Sequence, residues 1–504
     1  MGASRPRMQD VVLDDMGADL SPPGPAEPAS GDAPVPTAAL ARGPASRTAS
    51  WSRRARRRWP IAASLVIAVL AAQSIGSDRR EAARLTALAQ VPGILAPLGG
   101  TLAELWSSAG TTLSDLAVVS GRLVGVATQP DGEIDIVGLD TATGATVWQT
   151  RARAAGAADT WAECAWPSPT APADGPAPDI VCVVADVVAI HENAAGLWPY
   201  ATRTHLLRLD GRTGATLAVD PTAPNTSVAT LDDDVVTSRL GTDRRVRVTR
   251  SSRDGSVERW SFTSPEPLPE DTSGRPEVHL TVTDGLVVVD GGSGWVLGGD
   301  GLVLRSWAVD PGAVPKPELE VLDSGRLLAT PSVTADGDPR TDVVDLASGS
   351  TFTAAAVAVK VAPDDGSLSG LVLLRSTDGD DLIAFDRRSG RRLWTSSDPA
   401  GGATAVIDGR VLRVGRGGLR SIDGPTGRAL WSTARPRTSF GPLVTDGRVA
   451  LLTEAAPGGG SLVSAYGLDD GRLRWTAPVG SDVDLVPVGA ALYARSATGL
   501  IALG

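Results

Sequence analysis

Cysteine, histidine, lysine and asparagine are almost missing from this 504-residue chain. The two cysteines are Cys164 and Cys182, the three histidines stand at 191, 205 and 279, the lysines are Lys316 and Lys360, and the asparagines are Asn193 and Asn225. So few imidazole and thiolate ligands leave almost no room for a multi-His or multi-Cys metal centre. Basic residues are also in deficit: 47 Lys and Arg face 58 Asp and Glu, a net charge of −11. That balance argues against a large nucleic-acid footprint, which needs a basic face against phosphate. No nucleophile elbow, P-loop or kinase signature is present.

What is present changes character along the chain. Residues 1–58 are dense in Pro, Ala, Gly and Ser. Such a composition offers too little apolar surface to offset the entropy of ordering, so a disordered tail is expected. The tail ends in Arg53, Arg54, Arg56, Arg57 and Arg58, and the uncharged run WPIAASLVIAVLAAQSI follows at once from Trp59 to Ile75. Its length is at the low end of the ~17–25 residues that cross a bilayer as a helix. The arginine cluster outnumbers Arg79, Arg80 and Arg84 on the far side. The positive-inside rule then expects a transmembrane helix at 59–76 in the plasma membrane, with a cytoplasmic tail and everything downstream extracytoplasmic. A cleaved signal peptide and a buried core helix are the competing readings; the 58 residues before the run are long for an ordinary leader. Residues 77–99 begin with helix formers and are broken by Pro92 and Pro97, which reads as a juxtamembrane stalk.

From about 100 to 504, short β-branched runs alternate with Gly, Asp, Ser and Pro turns, the pattern of many short strands. One turn recurs. It joins Asp140, Gly144 and Trp148; Asp210 and Gly214, with Ala218 in the tryptophan position; Asp345 and Gly349, with Thr353 there; Asp386, Gly390 and Trp394; Asp423, Gly427 and Trp431; and Gly471 with Trp475. Two further units, ending at Trp260 and Trp307, have drifted. A period of roughly 37–50 residues is that of propeller blades. The Asp accepts backbone N–H groups across the turn, Gly supplies a positive φ, and Trp fills the space between blades. Trp106, in ELWSSA, stands alone near the start, while the C-terminal run stops before any tryptophan strand. The first strand is therefore expected to complete the last blade and close the ring. The fold expected is an all-β propeller of about eight four-stranded blades, with seven or nine open, the weakest unit lying between 226 and 356.

This Asp-x-x-Thr-Gly-x-x-x-Trp unit, with a small residue such as Ala384 before the Asp, resembles the tryptophan-docking repeat of pyrroloquinoline-quinone-like β-propellers. That group includes quinoprotein alcohol dehydrogenases and the propeller lipoprotein of outer-membrane protein assembly. With its anchor, the chain looks like a membrane-anchored actinobacterial member. The dehydrogenases of the group use an adjacent cysteine pair, a tryptophan under the quinone, and calcium held by Glu, Asn and Asp. Cys164 and Cys182 are 18 residues apart, and neither Asn lies in a ligand cluster. The expectation is therefore no cofactor and no metal, with pyrroloquinoline quinone plus calcium as the alternative.

Acidic turns at Asp131–Asp135, Asp336–Asp342 and Asp378–Asp381 lack the twelve-residue calcium pattern and read as hairpin turns. Cys164 and Cys182 flank WPSPTAPADGPAP. An even pair in an oxidising compartment favours a disulfide across that insertion, two buried thiols being the other option. Two function classes follow: a non-enzymatic binding or scaffold module for an unidentified protein or cell-envelope ligand, and a quinone-dependent redox enzyme. Whichever holds, the site is expected where the repeats disagree, at the 155–180 insertion, the divergent middle blades and the loops.

Overall fold

The computed structural model describes residues 78–504 apart from short loop stretches, the longest being 168–177, 269–277 and 309–319. The expected tail at 1–58 and helix at 59–76 lie outside the described residues. Within these, no helix is long and apolar enough to cross a membrane.

Nine sheets, each led by an antiparallel four-stranded meander, follow one another along the chain. Blade 1 spans 113–153, blade 2 162–222, blade 3 227–263, blade 4 279–308, blade 5 320–354, blade 6 357–397, blade 7 404–432 and blade 8 439–480. Blade 9 takes three strands from 484–503, and its fourth, outermost strand is Glu104–Ala109. That strand pairs antiparallel with Gly499–Leu503, so Trp106 stands opposite Ala502. Ring closure by the first strand is thus as the sequence indicates. The count is nine rather than eight, because all three weak units between 226 and 356 are complete blades. A blade requires only alternating apolar residues and tight turns, which GLVVVDGGSGWVLGG retains in blade 4 even though its turn motif has drifted. The tryptophan belongs to the joint between blades, and a blade can lose it and still form.

The joint itself is visible at Trp394. This residue sits on the outermost strand of blade 6, directly across from Ala384 on the third strand. Its Nε1 donates to the Gly424 carbonyl of blade 7 at 2.7 Å. A Cβ on Gly427 would come within 2.5 Å of the ring, and Gly427 holds φ +72°. The small residue two places before Asp386 is thereby explained: it lies under its own blade's tryptophan, as Gly138 before Asp140 does under Trp148, and Ala465 stands opposite Trp475 in the same way. Trp106, Trp148 and Trp431 lie on Gly144, Gly214 and Gly471 in the same way, and Trp260 on Gly301. In blade 5 the expected position, Thr353, is not the docking residue. Phe352 packs on Gly390 instead, one place earlier, and stacks with Phe385 at 5.8 Å.

The segment expected as a stalk packs on the ring. Residues 78–88 form a helix whose Leu85 and Leu88 are buried on Gly447, where a Cβ would come within 2.8 Å of Leu88. Beyond Pro92, Ile94 makes a parallel bridge to Thr445, and the Leu95 and Ala96 amides donate to the Thr445 and Ala490 carbonyls, both at 2.8 Å. Thr445, Gly447 and Ala490 lie at turns between first and second strands of blades 8 and 9. The segment therefore crosses the end of the ring that carries these turns and the Asp–Gly turns, termed here the turn face.

Cys164 and Cys182 are disulfide-bonded, with S–S 2.07 Å, across the first two strands of blade 2.

Two outcomes are expected in urea unfolding. Gly427→Ala should lower stability by about 2–4 kcal/mol, since it adds left-handed strain to overpacking under an indole. The double variant Cys164→Ala, Cys182→Ala should lower it by about 3 kcal/mol through the lost loop constraint.

Candidate functional site

The repeated residues are consumed by the architecture. In blade 1, Asp140 Oδ1 accepts from the Ala142 and Thr143 amides and from the Thr143 hydroxyl, each at 3.1 Å. Asp210 does the same with Arg212 and Thr213, and Asp386 with Ser389. Asp423 takes the Thr426 amide at 3.2 Å. These bonds favour the ionised carboxyl, so Asp140 and Asp386 lie below the ordinary carboxylate range, chiefly through the Thr143 and Ser389 hydroxyls. Asp345 is buried, and the Arg387 guanidinium of the next blade, bonded to it at 2.7 Å, holds its carboxyl far lower. Gly144, Gly214, Gly349, Gly390, Gly427 and Gly471 all have φ between 63° and 72°. None of these residues meets another to form a reactive group.

Chemistry is concentrated on the inner strands. Glu163 follows Ala162 on the inner strand of blade 2. It accepts from Ser227 and the Val228 amide of blade 3, and it feels the charges of Asp115 in blade 1 and His279 in blade 4. Burial, reinforced by Asp115, pushes its carboxyl up to about 7. Asp115 sits at a bulge with φ +49°. Its carboxylate accepts from Trp166 Nε1 at 2.8 Å and from the Cys164 amide at 3.2 Å. Four successive blades thus contribute to one polar line beside the disulfide. The composition marked these residues only as scattered acids and a lone His279; what joins them is the curvature of the ring.

Farther round, the inner strand of blade 6 breaks. Val357–Ala358 pairs with Leu371–Arg375, and Val361–Asp364 then runs parallel to Thr404–Ile407 of blade 7. A cavity of about 360 Å³ opens beside this crossing, lined by Pro92, Val321, Lys360, Pro363, Asp364 and Val372 among others. Gly93 approaches Pro363, so the N-terminal segment borders this cavity from the turn face. A second cavity, of about 560 Å³, shares Lys360 and Ala362 and adds Arg375 and Arg413.

The quinone and calcium implied by the repeat's resemblance do not fit these residues. The cysteines are a cross-strand pair, not neighbours. Asn193 ends a strand and Asn225 lies in a turn at φ +58°. The cavity beside the crossing is lined by Thr283, Lys360, Asp364 and aliphatic residues, with no tryptophan among them.

The largest departure from the repeat is in blade 2. Its second and third strands, Asp179–Asn193 and Gly196–Asp210, are 15 residues each. The inner strand pairs only as far as Val184 and the outer one only from Thr204. Beyond them, Asp186–Asn193 and Gly196–Arg203 pair with each other alone among the described residues. At ~3.3 Å per residue this is an arm of about 25 Å leaving the end of the ring opposite the turn face. Its register sets Trp198 opposite His191 and Tyr200 opposite Ala189. At its base His205 Nδ1 meets Asp186 at 2.8 Å, and the Arg153 guanidinium donates to the Asp186 carbonyl at 3.0 Å. The places expected from the sequence were the 155–180 insertion, the divergent middle blades and the loops; the run VVAIHENAAGLWPYA adjoins the first of these, and strand length is its only signal.

Residues 369–503 match the family model of outer membrane protein assembly factor BamB. No curated protein matches the chain in sequence. Among solved structures, BamB from Moraxella catarrhalis is similar at 15% identity and TM-score 0.40, over 80% of this chain and 99% of that one. A eukaryotic initiation factor is similar at 12% and 0.47, over 74% and 89%. Quinohemoprotein alcohol dehydrogenase from Comamonas testosteroni is similar at 13% and 0.36, over 80% and 76%.

Glu163 gives a pH dependence. Its folded carboxyl holds a proton that the unfolded chain, with an ordinary value of 4.5, has lost. Stability should therefore fall as pH rises from about 4.5 to about 7 and level off above. Thermal melts across that range should show a component of this slope that is absent from Glu163→Gln.

Proposed function

We propose that the chain is a membrane-anchored, extracytoplasmic scaffold that binds a protein or cell-envelope ligand through the arm of blade 2, with no reaction of its own. The arm carries this reading. A two-stranded ribbon without flanking strands is marginal by itself and contributes little to the core of the ring. Its central run holds Trp198 and Tyr200, residue types that dominate the energetics of protein interfaces. The similarity of blades 6 to 9 to an assembly-factor model supports a protein partner over a small substrate. The disulfide of blade 2 suits an oxidising compartment. The run at 59–76, with its arginine cluster on the N-terminal side, supplies the anchor and the orientation.

The test uses the full chain in membranes, with a photocrosslinker at Val187 and a control at Thr150, followed by identification of the captured protein. One partner is expected from the arm position and none from the control. Purified partner should then bind Trp198→Ser at least tenfold more weakly, by the scale of an interface hot spot, with the melting temperature unchanged. Equal binding by this variant would remove the arm from the account. A chromophore and dye reduction on adding pyrroloquinoline quinone and calcium would replace the scaffold with a redox enzyme.

A further inference from the structure

We propose that the turn face over blades 6 to 9 lies against a lipid surface bearing anionic headgroups. This rests on the anchored reading above and adds an orientation to it.

Three observations bear on that arc. The first is chain path. The apolar run ends at Ile75 and the docked helix begins at residue 78. Three peptide steps span at most about 11 Å. The helix and the strand after it are fixed to the turn face: Arg84 bonds Asp408 and the Gly447 carbonyl, and the Leu98 amide donates to Asp446 at 3.0 Å. The first described residue after the apolar run is therefore held at this end of the ring.

The second is exposed aliphatic surface. Leu105, Leu430 and Leu473 are 63%, 38% and 53% exposed. Each stands at the start of an outermost strand, where the chain has just left the turn face; Val147, Leu217, Val257 and Leu302 take the same place in blades 1 to 4, so the rim is aliphatic round the ring and charge selects the arc. The tryptophan one residue after Leu105 and Leu430, and two after Leu473, is turned into the joint, which leaves the leucine on the rim. A rim of this kind suits the boundary between headgroups and acyl chains.

The third is charge. The same turns carry Arg391, Arg392, Arg428 and Arg472, all exposed, in a chain whose net charge is −11. Nearby carboxylates offset part of this charge. Asp386 and Asp423 keep their charge, held by Ser389 and Thr426, while Asp470 pairs with Arg474 at 2.8 Å and with Arg472 at 3.8 Å, and Asp469 with Arg410 at 2.9 Å; Arg388, Arg391 and Arg392 outnumber Asp386 at the turn of blade 6. Arginine lying beside exposed leucine can keep its stem in the apolar layer and its guanidinium among phosphates. The turn tips of blades 3 and 4 instead expose Asp232, Asp233, Asp254 and Asp300. Charge thus favours contact along the arc of blades 6 to 9, and the arm of blade 2, which leaves the opposite end of the ring, points away from the lipid.

The chain's two cysteines are bonded to each other, so an added cysteine is a unique thiol. The full chain carrying Leu105→Cys, Leu473→Cys or Ser397→Cys is spin-labelled and reconstituted in vesicles of equimolar phosphatidylcholine and phosphatidylglycerol. Ser397 is an exposed residue at the far end of the outermost strand of blade 6. Labels at 105 and 473 should be several-fold more accessible to oxygen than to a water-soluble relaxant, relative to the label at 397. Adding Arg428→Glu and Arg472→Glu, or using phosphatidylcholine alone, should abolish that difference. A chain that does not float with the vesicles overturns the anchored reading and this inference together. A chain that floats with all three labels equally exposed to water overturns this inference alone, and lipid contact indifferent to charge overturns its anionic part.

Discussion

An indole laid flat on the turn glycine of the next blade is the contact on which the ring depends. In its full form it joins three positions: a small residue beneath the ring on the tryptophan's own blade, glycine with positive φ across the joint, and a carbonyl for the indole N–H; Trp148 does without the last and Trp260, opposite Arg250, without the first. Trp394 has all three in Ala384, Gly427 and the Gly424 carbonyl, and Trp431 donates likewise to the Leu468 carbonyl at 2.9 Å. A radial sheet has its outer edge splayed from its neighbours, and a large flat side chain fills that gap.

Where the indole is missing, other groups bridge the joint. Between blades 2 and 3, Ala218 is too small, and Arg253 from the turn of blade 3 donates to the Asp179 carbonyl of blade 2 at 2.7 Å. Burial lowers the affinity of that guanidinium for its proton, opposed by Asp233 and Asp179. Between blades 5 and 6 the Phe352–Gly390 contact is joined by the Arg387–Asp345 ion pair. Trp307 of blade 4 folds over Gly294 of its own blade. These substitutions explain why the middle of the chain looked like fewer blades than it contains. The repeat signal is a record of the joint, and the joint can be remade with cations while the strands persist.

The N-terminal segment deals with a different problem. Closing the ring with its first strand leaves blade 9 without a continuous turn between its third and fourth strands. Gly504 and Ala103 exchange backbone hydrogen bonds there, at 2.8 and 3.0 Å, in place of a covalent turn. Trp475 of blade 8 then packs with Leu95, Leu98 and Leu102 in one apolar cluster, where its sisters meet a glycine turn. The helix before this segment is seated by Leu85 and Leu88 on Gly447. Composition alone made that stretch a spacer. Its role in covering one end of the ring depends on a glycine more than 350 residues away.

Local patterns decide what can be read without the fold. The spacing of Asp140, Gly144 and Trp148 and its repeats, the alternating runs, and the lone Trp106 were enough for blades, turns and closure by the first strand, because a turn and the strand beside it are set by neighbouring residues. The count of nine, the replacement of Thr353 by Phe352, the docking of residues 78–98, the line from Asp115 through Glu163 to His279 and the arm of blade 2 were decided only by tertiary structure. Each depends on which distant residues the curvature of the ring brings together, or on where a strand loses its flanking partner, and neither quantity has a local trace in the sequence.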